Sequence, residues 1–296
     1  MTSFVHLRLH TEFSLVDGIV RIDELAKATV GHGMPAVAVT DQANLFAMVK
    51  FYKAARAAGI KPIIGVDLLI REVGERAEPS RLTLLCMNAH GYGNLTRLVT
   101  RSYLEGQRRD GIPMVERDWL SPEAVDGLIA LSGAGDGDVG RLLGNGKTAE
   151  AHRAARAWRA LFGDRYYLEL TRTGKADDDV IVDGMLGLVA ELEIPAVATN
   201  DVRFLQRADF EAHEARVCIH DGEQLANPHR PRRYTEEQYL KSPAEMAALW
   251  ADVPGVLEQS VEIARRCSLE LTLGKPVLPE YPVPAGQTTA EFLRTE

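Results

Sequence analysis

The sequence predicts an α/β fold in which a barrel or a doubly wound sheet is covered by helices. Three observations lead to this prediction: seven short β-rich runs follow one another, helical periods separate them, and most of the runs are continuously apolar. Continuous apolar runs are typical of strands buried on both faces, as in a parallel sheet between helices. The repeated order of strand and helix favours a barrel or a doubly wound sheet.

The individual elements follow from these runs and from the turn residues between them. The predicted strands are 4–10, 36–41, 62–70, 82–87, 127–132, 166–171 and 195–201. The predicted helices include 22–30, 45–58, 148–161 and 180–191. Gly59 fits the end of a helix, and Ser121 and Ser242 each precede a proline, which predicts a capping serine followed by a first helical proline.

Composition indicates a globular, cytoplasmic protein. A chain of 296 residues with 46% hydrophobic residues can build one large core or two modest ones. Its three cysteines, Cys86, Cys218 and Cys267, contain no CxxC pair, so neither a disulfide framework nor a cysteine zinc site is expected. The start of the chain does not read as a signal peptide, and no stretch reaches the roughly 18 apolar residues of a membrane span.

The net charge of −8 argues against a standalone DNA-binding module, because neutralising phosphates requires a surplus of Lys and Arg. The exception is the basic cluster 229–233 (HRPRR), which is either a phosphate contact or a solvated loop. Near residue 270 the pattern changes to a proline-rich stretch, LGKPVLPEYPVPAGQ, and then to the opening of a helix. The sequence therefore predicts a domain over 1–270 and a linker with the start of a further region over 271–296.

The predicted strand ends are unusually polar. They carry His10, Glu12, Asp17, Thr40, Asp41, Gln42, Asp67, Ser132, Glu169, Asn200, Asp201 and Arg203. Because working residues of βα barrels lie at the carboxyl ends of strands, histidines and carboxylates there could form a metal site that activates water for phosphate ester hydrolysis. The alternative is structural, since Asp, Asn and Thr also end strands by making turns and caps.

Several segments closely resemble a known family. FVHLRLHTEFSLVDG, AVTDQANLFAMVKFYKAA, GIKPIIGVD, RLTLL with GYGNLT, DRYYLEL and ATNDVRFL resemble, in order, the motifs of the amino-terminal PHP (polymerase and histidinol phosphatase) domain of bacterial DNA polymerase III alpha subunits. The resemblance implies a distorted seven-stranded (βα)7 barrel, similar to a TIM barrel. It also implies that 1–270 is the PHP domain and that 271–296 leads into the polymerase palm region.

The resemblance further implies how the family's nine metal ligands map onto this chain. Three are kept, as His10, Asp17 and Asp201, and a fourth is the shorter Asp67 in place of glutamate. Five are replaced, by Arg8, Gln42, Arg81, Ala134 and Arg203. His10, Asp17, Asp67 and Asp201 are thus the residual candidates for metal binding, and the site is expected to be vestigial.

The three arginines suggest what replaced the metal. A guanidinium group carries a fixed charge and cannot ligate a cation, so Arg8, Arg81 and Arg203 are expected to exclude metal. They are also expected to form salt bridges with Asp17, Asp67 and Asp201. The alternative is that these arginines point to solvent.

The implied function is that of a part of a DNA-directed DNA polymerase, a nucleotidyltransferase that uses Mg²⁺ at a palm site outside this chain. The degenerate pattern is similar to the proteobacterial branch, in which a separate proofreading exonuclease docks on the PHP domain. We therefore expect a metal-free, noncatalytic scaffold with no cofactor of its own, whose partners are the rest of the alpha subunit and that exonuclease. DNA contact is expected only through the full-length protein. The alternative is an active metal-dependent phosphoesterase or 3′–5′ exonuclease.

Overall fold

The computed structural model of the protein describes residues 4–71, 78–107, 111–253, 255–276 and 281–295. Strands in this part of the chain are β1 (Ala36–Val39), β2 (Lys61–Arg71), β3 (Ser80–Cys86), β4 (Val115–Glu116), β5 (Leu128–Leu131), β6 (Tyr166–Thr171) and β7 (Ala196–Thr199). Its α-helices are α1 (Ile22–Gly31), α2 (Met48–Ala57), α3 (Ala89–Leu104), α4 (Asp138–Gly144), α5 (Thr148–Phe162), α6 (Asp178–Leu192), α7 (Phe210–Asp221), α8 (Pro243–Leu249), α9 (Glu258–Arg266) and α10 (Thr289–Thr295).

The strands form one curled, mixed sheet in the order β1-β2-β3-β5-β6-β7, and the short β4 pairs with β2. The β1–β2, β5–β6 and β6–β7 pairs are parallel, whereas β3 runs antiparallel to both of its neighbours. The expected barrel is therefore confirmed as a distorted (βα)7 barrel. The expectation of a parallel sheet was wrong at β3, because only eight residues separate the end of β2 from the start of β3, fewer than a crossover between parallel strands requires.

Residues 4–11 close the barrel between β7 and β1. The backbone NH of Ala38 donates to the carbonyl of His6 at 2.8 Å, and on the other side the NH of His10 donates to the carbonyl of Val202 at 2.9 Å. The predicted strand 4–10 was nevertheless wrong as a regular strand, since its pairing is limited to isolated bridges such as Leu9 with Val202. The segment is extended and completes the ring.

The alternation of inward-facing and outward-facing side chains shifts by one residue in this segment, which explains why it is not a regular strand. Val5 and Leu7 pack inside the barrel, whereas Leu9 packs with the outer apolar residues, beneath the helices. Arg8 and His10 nevertheless bond carboxylates inside the barrel. Inward and outward positions must therefore exchange between Leu7 and Arg8, as at a β-bulge, which breaks the ladder and turns both polar side chains inward.

Two apolar clusters hold the fold together. The larger lies between the sheet and the helices; α5, for example, buries Ala151, Ala155, Trp158 and Phe162, spaced as one face of a helix. The smaller fills the amino-terminal end of the barrel interior, and α9 covers it. We call this smaller cluster the interior floor; its members are Val5, Leu7, Ala36, Ala38, Ile63, Leu85, Ile129, Leu131, Tyr167, Val197, Ile263, Ala264 and Cys267.

The predicted turn and cap residues have three different outcomes. Gly59 adopts a φ of +74° just after α2, as expected for a residue that ends a helix. Ser242 caps α8 in a capping box with Glu245, which confirms that prediction. Ser121 does not begin a helix; its hydroxyl accepts the NH of Ala124 within a turn, because the segment that follows is too short to continue.

The chain after β7 crosses the carboxyl end of the barrel before it returns to α8. In this excursion the basic cluster 229–233 is held by ion pairs: Arg230 donates to Glu214 at 2.5 Å, and Arg233 pairs with Asp221. The predicted division at residue 270 stays a prediction, and residues 277–280 of the predicted linker lie outside the described residues. Among the helices described, none is long and apolar enough to cross a membrane.

Candidate functional site at the carboxyl end of the barrel

Polar side chains from distant parts of the chain converge at the carboxyl end of the barrel interior. We call this cluster the rim network; it consists of Arg8, His10, Asp17, Gln42, Asp67, Arg81, Asp201 and Arg203. The strand periodicity places Asp67 and Arg81 there, since their neighbours Val66, Leu68 and Leu82 pack on the outer side of the sheet. The sequence positions expected to share a site thus do so.

Asp67 is the centre of the network. Its Oδ2 accepts from Arg8 Nη2 at 3.0 Å, Arg81 Nη1 at 2.9 Å and His10 Nε2 at 3.1 Å. Its Oδ1 receives the hydroxyl of Thr83 at 3.3 Å. One carboxylate therefore faces two guanidinium groups and an imidazole, and the neighbouring cations hold the pKa of Asp67 well below its usual range even though burial alone raises it.

Arg203 joins Asp17 and Asp201. Its Nη1 donates to Asp17 Oδ2, and its Nη2 donates to Asp201 Oδ1 at 2.6 Å. Arg203 and Asp17 are 1% and 0% exposed, so this pair is shielded from water. Burial alone raises the pKa of both carboxyl groups, but Arg203 together with the neighbouring cations outweighs burial and lowers both pKa values.

Arg8 lies among four carboxylates, those of Asp67, Asp136, Glu169 and Asp201. Its Nε is 3.2 Å from Asp201 Oδ1, and its Nη1 is 3.7 Å from Glu169 Oε2. Asp136, at the edge of the site, lies 3.8 Å from Arg8 Nη2. Burial opposes the charge of Arg8, yet these carboxylates together raise its pKa well above the ordinary value, so the guanidinium stays charged.

His10 links both ends of the network. Its Nδ1 lies 2.9 Å from Asp17 Oδ1, and its Nε2 lies 3.1 Å from Asp67 Oδ2. Burial and Arg203 lower the pKa of His10, but the two carboxylates prevail and raise it. Arg203 Nη1 also lies 2.6 Å from His10 Nδ1. In the charged imidazole both ring nitrogens donate to the two acids and Arg203 Nη1 donates to Asp17, whereas in the neutral ring Nδ1 is able to accept from Arg203.

Gln42 and Ala134 occupy the two remaining positions expected in the site. Gln42 accepts Arg81 Nη2 at 3.0 Å through its side-chain oxygen, so it belongs to the network. Ala134 has no polar side chain; it lines a small cleft beside Arg8 and Asp201. Its φ of +47° follows Gly133 at +79°, which makes a tight turn after β5.

The rim residue Asp41 has a structural role. Its Oδ1 accepts the NH of Thr11 at 2.6 Å and the hydroxyl of Ser14 at 2.9 Å, and its Oδ2 accepts the hydroxyl of Thr11 at 2.8 Å. Because all three donors come from one turn, Asp41 holds residues 11–14 against the end of β1 through hydrogen bonds. For Asp41 the structural alternative was correct.

Sequence reasoning missed Tyr234 and Gln238. The Tyr234 hydroxyl donates to Asp17 Oδ2 at 3.0 Å, and Gln238 Nε2 donates to Asp201 Oδ2 at 2.6 Å. Both come from the excursion after β7, whose path over the barrel has no signal in residue spacing. Glu169 was placed at the rim from its strand position, but its partner Thr199, which donates at 2.6 Å, was not named.

The donor set does not fit a resident metal ion. Across the described residues, no group of three or more His, Cys, Asp and Glu side chains is arranged to hold one. The oxygens of Asp17, Asp67 and Asp201 already receive hydrogen bonds from arginines. A divalent cation placed among them would face three guanidinium charges at close range, which is strongly unfavourable at low dielectric.

A distorted barrel with acids and a histidine at its carboxyl end is the structure expected of a PHP domain, and comparison with known proteins identifies the same class. The family model of the PHP domain matches residues 6–173, and the chain belongs to the PHP domain family. Individual relatives point to a narrower group of proteins within this family. The chain is 53% identical over 292 residues to the DNA polymerase III subunit alpha of Pseudomonas aeruginosa and 44% identical over 290 residues to that of Escherichia coli.

These alignments cover 99% and 98% of this chain but only 25% of each relative, so the chain spans about a quarter of their length. Among solved structures, an amidohydrolase from Chromobacterium violaceum is similar at a TM-score of 0.46 and 14% identity, over 68% of this chain and 88% of that one.

Proposed function

We propose that this chain is a metal-free, noncatalytic scaffold within a protein of the DNA polymerase III alpha type. In this role the rim network takes the place of the metal ions that family members with all nine ligands bind, and it stabilises the ends of the barrel strands. The rim network joins residues 8–17 and 201–203 to Gln42, Asp67 and Arg81. The similarity to DNA polymerase III alpha subunits supports the assignment to that context.

The single observation that carries the proposal is the environment of Asp67 Oδ2. Arg8, Arg81 and His10 all approach this one oxygen within 3.1 Å. In a metal site such an oxygen is left free to bind the ion. Here its lone pairs accept from two guanidinium groups and an imidazole, which supports a structural rather than a catalytic use of the rim.

The scaffold is proposed to hold the rest of the alpha subunit in cis and to dock a proofreading 3′–5′ exonuclease. DNA would be reached through the full-length protein, because the chain carries a net charge of −8 and two arginines of the basic cluster 229–233 are paired with acids. Any Mg²⁺ requirement then belongs to a polymerase site outside these residues.

Metal content and phosphatase activity test the proposal directly. The chain, purified without chelator, is analysed for bound metal and assayed on p-nitrophenyl phosphate with added Mn²⁺ or Zn²⁺. We expect less than one metal ion in ten molecules and no turnover. Stoichiometric zinc or manganese, together with turnover that Asp201→Ala abolishes, would overturn the scaffold and establish a working phosphoesterase.

A further inference from the structure

A second surface on the same end of the barrel is apolar and exposed. It consists of Phe13, Leu15, Phe46 and Val49, which we call the apolar patch. Leu15, Phe46 and Val49 are 59%, 61% and 43% exposed, and Phe13 is half-buried. Exposed apolar side chains that stand singly need no explanation, but several of them on adjoining segments are typical of a binding surface.

Hydrogen bonds hold the two parts of the patch side by side. The Asn44 side chain donates to the carbonyl of Phe13 at 3.0 Å and accepts the NH of Phe46 at 3.0 Å. Asn44 is itself buried, so the loops before α1 and before α2 are fixed relative to each other. The patch is thus a built surface rather than two loose loops.

The backbone at Leu15 is strained in a way that keeps its side chain outside. Leu15 has a φ of +65° and a ψ of −36°, and the NH of Val16 bonds the carbonyl of Ser14 at 2.8 Å across it. This tight turn suits glycine, and a leucine there is strained. Folding alone gains nothing from an exposed leucine in that conformation, which points to a use in binding.

The helix beside the patch supplies charge of one sign. Its exposed face carries Lys50, Lys53 and Arg56, and α2 contains no acidic residue. None of these three cations forms an ion pair with another residue in the described part of the chain, although Lys50 lies 5.9 Å from the Phe13 ring centre. In a chain of net charge −8, an uncompensated basic stripe beside apolar side chains suits an acidic partner.

We propose that the apolar patch and the α2 cations together bind a partner protein through a segment of apolar side chains flanked by carboxylates. The inference rests on the proposed docking role and names the surface that performs it. A protein fits better than a nucleic acid, because Leu15 and Val49 are aliphatic and cannot stack on bases, whereas apolar anchors within a charged rim are typical of protein interfaces.

The test measures binding of the proofreading exonuclease subunit of Pseudomonas aeruginosa DNA polymerase III to the full 296-residue chain by isothermal titration calorimetry. The variants are Phe46→Ser, Leu15→Gly and Lys53→Glu. Matched controls are Val180→Ser and Arg156→Glu, which change an exposed apolar side chain on α6 and an exposed cation on α5. Circular dichroism and thermal unfolding check that each variant folds.

We expect each patch or α2 variant to weaken binding at least 10-fold, while both controls stay within 2-fold of wild type. Leu15→Gly should bind weakly yet unfold at the wild-type temperature or above, since glycine relaxes the turn. Wild-type affinity should fall as NaCl rises, and Lys53→Glu should reduce that salt dependence.

The other outcomes each refute a stated part of the proposal. If wild type binds the exonuclease and the patch variants bind equally well, the surface is wrong while docking stands. If wild type does not bind, both docking and this surface are overturned. Binding of a fluorescein-labelled 20-nucleotide single strand that the patch variants abolish would assign the surface to nucleic acid instead. The rim network is tested separately, by metal content and stability.

Discussion

The interior floor and the rim network fill the two ends of one barrel interior, and the same strands build both. The strand β2 supplies Ile63 to the floor and Asp67 to the network, while β3 supplies Leu85 and Arg81. The floor is stabilised by removal of apolar surface from water, which does not depend on partner groups or pH. The network is stable only as a whole, because each buried charge needs the others.

The largest expected effect comes from removing Arg8, whose side chain is 1% exposed. Arg8→Met leaves Asp67 and Asp201 with fewer cations in a site shielded from water, and we expect a loss of about 3–5 kcal/mol in the free energy of unfolding. Urea unfolding at pH 7 measures it. Arg265→Ala, which removes an exposed pair with Glu262, serves as control and should change stability by no more than about 0.5 kcal/mol. A loss below about 1 kcal/mol for Arg8→Met would mean that the network contributes little net stability.

The floor should respond differently to acid. Ile63→Ala is expected to lose about 2–4 kcal/mol at every pH from 7 to 3, because a lost apolar contact carries no proton dependence. Asp17, Asp67 and Asp201 have depressed pKa values, so their stabilisation is present above the unfolded pKa of about 4 and is lost as pH falls below it. The deficit of Arg8→Met should therefore shrink below pH 4. A constant deficit would show that Arg8 acts through packing rather than charge.

The buried histidines His6 and His10 are expected to change stability with pH in opposite directions. The raised pKa of His10 gives stability that is present below pH 6.5 and is lost as pH rises through its folded value. Burial lowers the pKa of His6 to about 4, so its contribution is present above pH 6.5 and is lost as pH falls toward 4. NMR titration of the two imidazoles checks both directions, and a tenfold change in proton affinity between the unfolded and folded states corresponds to about 1.4 kcal/mol. A His10 pKa below 6.5 would mean that its Nδ1 accepts from Arg203 instead of donating to Asp17.

The smallest expected effect on stability comes from removing the Tyr234 hydroxyl, which reaches the rim network from the excursion after β7. Tyr234→Phe removes one hydrogen bond to Asp17 but leaves the arginine and histidine contacts of that carboxylate in place. We expect a loss of about 0.5–1.5 kcal/mol in urea unfolding. A loss as large as that of Arg8→Met would indicate that the excursion, rather than the arginines, holds the network closed.

Much of the fold could be predicted, because buried strands and amphipathic helices leave periodic patterns. Helices α1, α5 and α6 begin and end within two residues of their predictions. The exceptions have physical causes. Residues 4–10 have strand composition, but the shift between Leu7 and Arg8 breaks the ladder, and the two-residue β4 is too short to leave a pattern.

The site could be predicted in part, because charge pairing follows from which residues share an edge. The three arginines contact the three aspartates, as expected, and the alternative that they point to solvent was wrong: Arg8 and Arg203 are 1% exposed. Which arginine pairs with which aspartate could not be predicted, because it depends on where each side chain lies inside the barrel. Arg8 lies between Asp67 and Asp201, whereas Asp17 receives Arg203 and the imidazole.

The closure of the barrel also has a consequence for how the protein acquires its structure. His10 and Arg203 are 193 positions apart, and the first segment, which bonds β1 on one side, lacks its second neighbour until residues 201–203 are available. At a synthesis rate of roughly 5–20 residues per second, about 10–40 s separate the appearance of the two ends on the ribosome. During that time Val5 and Leu7 are exposed, and the apolar interior stays open on one side. We therefore expect the nascent chain to be a substrate for chaperones until the last strand is made, and ring closure to be a late step of folding.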